Sequence, residues 1–110
     1  MFYTYSQNNS GGNFTGPATY VIVEAKNAKF ANVIAEENGI YFDGCSSGRD
    51  CSCCGDRWSR QWNDKDGTEK PEIYGKEIKE SQKTGMFLRK LKDIPYAIVI
   101  FDSGKIKTYK

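Results

Sequence analysis

The apolar positions of the chain fall into two long β-branched runs and one helical stripe. Residues 20–25, Tyr-Val-Ile-Val-Glu-Ala, and residues 96–101, Tyr-Ala-Ile-Val-Ile-Phe, each predict a strand. Between residues 28 and 38 the period changes. Ala28, Ala31, Ile34 and Ala35 recur at helical spacing, with Phe30 beside them. Asn27 precedes this stripe as an N-cap, and Gly39 follows it where a helix turns left-handed, with Ile40 as the next apolar residue. The small alanines let the helix lie close to a sheet. Residues 40–42 predict a short strand after it, making a strand–helix–strand unit.

The remaining segments are shorter. Phe2, Tyr3 and Tyr5 predict an N-terminal strand, and residues 106–109 an edge strand that returns across the Asp102-Ser103-Gly104 turn. Residues 57–62 alternate and predict a strand. Asn63 to Gly67 has turn chemistry, and residues 72–78 are expected to pair back across it. Residues 43–56 read as an irregular loop, while Met86, Phe87, Leu88 and Leu91 are apolar enough for partial burial. The expected class is α+β: a mainly antiparallel sheet with one packed helix and a Cys-rich loop, in one domain over residues 1–110.

Composition fits that picture. Charged residues make up 27% and aromatics 14% of the 110 residues, which is ordinary for a globular chain and too aromatic for a disordered one. Net charge is only +2 but unevenly spread: residues 1–75 carry 7 basic and 10 acidic side chains, residues 76–110 carry 9 and 4. The basic last third fits either a phosphate-attracting face or a set of solvated lysines. No stretch approaches the length of a membrane span, and the start lacks the pattern of a signal peptide. Both features predict a cytoplasmic protein whose thiols are reduced. The chain holds no histidine, which removes the usual catalytic triads and the commonest general base. An enzyme is therefore not expected. Asp43, Asp50 and Asp56 are acids that an enzyme would need, but such residues in a charged loop are ordinarily solvated.

The densest chemistry lies in residues 42–62, which hold all four cysteines. Cys51-Ser52-Cys53-Cys54-Gly55 contains a Cys-x-x-Cys-Gly knuckle, in which two thiolates converge on one tetrahedral ion. A knuckle is half a site. Cys45 and Cys53 would complete a four-thiolate zinc set with Cys51 and Cys54. Three cysteines with Asp50 or Asp56, a site shared between two chains, a loop of reduced thiols and a redox pair all stay open. No helix is expected to begin there to activate a thiol. Around the cysteines stand Arg49, Arg57 and Arg60, with Trp58 and Trp62. Arginine forks beside indoles suit a phosphate and a planar ring, or else pairs such as Arg49–Asp50 and Arg57–Asp56 simply tie the loop. The N-terminal loop adds Asn8, Asn9, Ser10, Gly11 and Gly12, whose backbone donors suit an anion nest, though no known nucleotide motif is met.

Three blocks also carry a resemblance. They are the opening Tyr5–Phe14 with its Ser-Gln-Asn-Asn-Ser-Gly-Gly run, the strand and helix of residues 20–39, and residues 41–58 ending Gly-Arg-Asp-Cys-x-Cys-Cys-Gly-Asp-Arg-Trp. Together they resemble a group of small uncharacterised proteins encoded by tailed bacteriophages, over about the first 60 residues. That resemblance implies a phage or prophage origin and action in the host cytoplasm, and brings no residue roles with it.

The expected function is a non-enzymatic accessory protein that sequesters a small anionic, nucleotide-like ligand and so antagonises host defence. The alternative is a zinc-knuckle module contacting nucleic acid or a host protein. Nucleic acid is the weaker of the partner expectations, given the low net charge. The exposed edge strand and small core are compatible with a homodimer.

Overall fold

The computed structural model describes residues 1–8, 16–50, 55–73, 75–77 and 95–109. The expected burial of Met86, Phe87, Leu88 and Leu91 lies outside the described residues. The elements are β1 (Phe2–Ser6), β2 (Tyr20–Glu24), α1 (Ala28–Glu37), the short α2 (Gly44–Ser47), β3 (Glu72–Ile73), β4 (Lys76–Glu77), β5 (Ala97–Ile100) and β6 (Ile106–Tyr109), with a 3-10 turn at Asp64–Asp66. The class is the one the sequence predicts, α+β with one main helix.

The four-stranded sheet has the order β1-β2-β5-β6. Its outer pairs are antiparallel, with Tyr3 opposite Val23 and Val99 opposite Lys107. Its central pair is parallel, with Val21 in register with Ile98. Both faces of that pair are covered. On one side Tyr3, Tyr5, Val21, Val23, Ile98 and Ile100 pack with Ala28, Ala31 and Ala35 of α1, Ile40 and Trp58. On the other side Phe2, Ile22, Ala97 and Val99 pack with Ile73. Burial on both faces explains why β2 and β5 read as continuous apolar runs instead of alternating. In β6 only Tyr109 is partly covered, and Ile106 is 48% exposed, as an edge strand allows.

Local signals set the ends of α1. The Asn27 side chain accepts a hydrogen bond from the Phe30 N–H at 2.9 Å. At the other end Gly39 has φ +99°, the Ile40 N–H reaches the Ala35 carbonyl, and the Gly39 N–H reaches the Glu36 carbonyl. This is the Schellman arrangement, and only glycine enters it without strain.

Four expectations change. Residues 40–42 form no strand, because the parallel neighbour of β2 is β5, which fills the edge a third strand would need. Residues 57–62 make one bridge, Gln7 to Trp58, and no ladder. β3 therefore turns back on β4 and not on residues 57–62. Residues 43–56 are not wholly irregular, since α2 begins at Gly44 with Asp43 as its cap in the left-handed region at φ 58°. Among the described residues no helix is long and apolar enough to cross a membrane.

Candidate functional site: a cleft between the helix and the Arg60–Trp62 segment

Among the described residues, Tyr41 and Arg57 converge on one carboxylate of the Cys-rich segment. Asp50 accepts the Tyr41 hydroxyl at 2.6 Å on one oxygen and the Arg57 backbone N–H at 2.8 Å on the other. The Arg49 guanidinium lies 3.8 Å from the centre of the Tyr41 ring. Burial disfavours the Asp50 charge, but the Arg57 N–H, the Tyr41 hydroxyl and the charges of Arg57 and Arg49 outweigh it and hold the carboxyl below its usual range. Burial, and then the Asp50 carboxylate, push the Tyr41 hydroxyl up. The pairing of Arg57 with Asp56 suggested by adjacency is not what closes the loop. Asp56 instead accepts the Cys45 backbone N–H at 2.9 Å, while the Arg57 backbone engages Asp50.

Arg57 also fastens this loop to the N-terminal one. Its Nη1 donates to Gln7 Oε1 at 3.1 Å and to the Asn8 carbonyl at 3.3 Å, and the Asn8 N–H donates to the Arg57 carbonyl at 2.7 Å. Gln7 and Asn8 are thus tied to Arg57. Asn9, Ser10, Gly11 and Gly12, and equally Cys51, Cys53 and Cys54, lie outside the described residues. Cys45 is half-buried in α2. Among the described residues no three His, Cys, Asp or Glu side chains are grouped to hold a metal. The four-thiolate reading predicts about one zinc per purified chain by elemental analysis. A content near zero, with four titratable thiols, would sink it.

Trp58 and Trp62 part company. Trp58 is 1% exposed and belongs to the core, so its ring faces are unavailable for stacking and it gives the site only a wall. Trp62 is 81% exposed. Between them Arg60 lies 5.2 Å from the Phe42 ring centre and 5.5 Å from that of Trp62, and it forms an ion pair with Asp43. A small cleft of about 80 Å³ opens on the Asp43 side of Arg60, bordered by Phe42, Asp56, Trp58 and Ser59.

A larger cleft of about 300 Å³ opens on the other side. It runs from Arg60, Gln61 and Trp62 to Lys29 and Asn32 of α1, with Asp64 at its end. Hydrogen bonds fix its walls. Asn32 accepts the Tyr5 hydroxyl at 2.7 Å and the Gln61 N–H at 2.8 Å, and donates to the Gln61 carbonyl at 2.9 Å. The Gln61 side chain reaches the Thr4 carbonyl at 2.7 Å, and Asp64 accepts the Ala28 N–H at 2.9 Å. Gln61 is therefore clamped between β1 and α1, and its neighbours Arg60 and Trp62 are presented at the surface. Lys29 and Asn32 were not among the sequence candidates. Their place in the cleft beside Trp62 emerges only once the chain folds.

Chemically this is a rigid, partly polar cleft with an exposed indole and two cations. The protein is thus a small α+β domain with a surface cleft between its helix and an aromatic, basic segment. Over residues 1–110 the chain matches the family described as Domain of unknown function (DUF7296), and it belongs to that family. No curated protein and no solved structure matches it.

Proposed function

We propose that this protein is a non-enzymatic binder of a small, planar, anionic ligand of nucleotide type, held in the cleft between Arg60–Trp62 and α1. The observation that carries the reading is the 81% exposure of Trp62 beside the Arg60 guanidinium. Leaving an indole in water has no folding benefit, whereas an indole next to a cation suits a base with its phosphate. The cleft volume of about 300 Å³ is at the lower end of small-molecule sites, enough for a ring and one phosphate group. Lys29 supplies a second cation at the far wall. In the phage setting implied by the resemblance, sequestering such a ligand would blunt a host signal.

The test is calorimetric titration of the purified protein with cyclic dinucleotides, ADP-ribose and AMP. At least one should bind, and Trp62→Ala should weaken it by roughly 1–3 kcal/mol, about 5- to 150-fold, with little change in melting temperature. Failure of every probe to bind at millimolar concentration would end this reading.

A further inference from the structure

The Arg60 side chain is already occupied. Its guanidinium pairs with the Asp43 carboxylate, and the two side chains are 34% and 63% exposed. Asp43 is held in place for this by its own backbone. It caps α2 in the left-handed region at φ 58°, a conformation that side chains seldom adopt, with its carbonyl accepting the Ser47 N–H at 3.1 Å. On the ligand side of Arg60, the 300 Å³ cleft is lined by Lys29 and by Asp64, whose carboxylate is engaged with the Ala28 N–H.

From this arrangement we infer that Asp43 is a built-in competitor for Arg60 that sets the ligand class: the cleft accepts phosphate-bearing planar ligands and rejects carboxylate-bearing ones. The inference rests on the binding reading given above. A ligand that draws Arg60 away from Asp43 exchanges one anionic partner for another. A carboxylate offers Arg60 the same fork that Asp43 offers, so the exchange gains nothing there. A phosphate brings more charge and a third oxygen, so it can hold Arg60 and reach Lys29 across the cleft together. Breaking the Asp43 contact weakens every anionic ligand alike and so sets the threshold for binding, and the extra oxygen and the reach to Lys29 are what carry a phosphate over it where a carboxylate falls short.

The experiment compares the wild-type protein with Asp43→Asn and Asp43→Gly, using AMP and ADP-ribose as phosphate probes and indole-3-acetate as a planar carboxylate probe. Asn and Gly both accept the left-handed conformation, so both variants should melt within a few degrees of wild type. Wild type should bind a phosphate probe and show no measurable affinity for the carboxylate. In both variants the carboxylate should gain measurable affinity and the phosphate affinity should rise about fivefold, the amount expected for releasing a partly exposed ion pair. As a ligand-free readout, modification of Arg60 by phenylglyoxal, mapped by mass spectrometry, should accelerate in both variants. If wild type binds a phosphate probe and neither variant changes affinity, selectivity or Arg60 reactivity, the inference is overturned while the binding reading stands. If wild type binds none of the probes, the binding reading falls and this inference falls with it.

Discussion

Replacing Trp58 with alanine should cost about 3–5 kcal/mol and leave little folded protein at 37 °C. The indole is the largest of the fully buried side chains. It packs in the same cluster as Tyr3, Tyr5 and the alanine stripe of α1, so its removal opens a cavity between sheet, helix and the Cys-rich segment. Trp58→Phe should be far milder, about 1–2 kcal/mol. The indole Nε1–H is buried with no hydrogen-bond partner among the described residues, so phenylalanine loses area but also removes an unsatisfied donor. Urea melts of the two variants check both values. Trp62→Ala should leave the melt almost unchanged, and equal losses at Trp58 and Trp62 would contradict the division of labour between the two tryptophans.

The second large effect concerns Asp50 and the glycine beneath it. A Cβ built on Gly44 would lie 1.9 Å from Asp50 Oδ2 and 2.8 Å from the Tyr41 ring, so Gly44→Ala must push the carboxylate out of its hydrogen bonds. Asp50→Ala removes the same acceptor directly and leaves the Arg57 N–H and Tyr41 hydroxyl without it. Each change should cost on the order of 2–4 kcal/mol. A pH signature separates this from simple loss of packing. The folded-state pKa of Asp50 lies below the ordinary aspartate value of 3.8, so its contribution is fully present above that pH and is lost as pH falls through the lower folded value. Wild-type stability should therefore drop on acidification below about pH 4. In Asp50→Asn that part of the slope should be absent. An identical acid slope in both proteins would show that the carboxylate is not held as described.

What the sequence makes legible is what short-range chemistry determines. The Asn27 cap, the alanine stripe and Gly39 lie within one helix length of each other, and they place α1 to within a residue. The two β-branched runs place β2 and β5 for the same reason. Their parallel pairing was hidden, because register between residues so far apart leaves no local trace. Trp58 and Trp62 look equivalent in a segment that alternates, and one bridge to Gln7 is too little to hold a two-residue period. One indole therefore goes into the core and the other into water. The cleft drew on Lys29 and Asn32 for a related reason: they become neighbours of Trp62 only after Gln61 is clamped between β1 and α1.

The parallel pairing of β2 with β5 also determines when this protein is able to fold. Val21 and Ile98 are partners in register near opposite ends of the chain, so closing the sheet means closing a loop that contains most of the polypeptide. Such distant pairings slow the search for the native state. During synthesis β2 can take up β1, yet its other edge and the floor beneath α1 stay open until β5 has left the ribosome. The α1 wall of the cleft shares its core cluster with Ile98 and Ile100 of β5, so that wall gains its full support only after the last strands have been made.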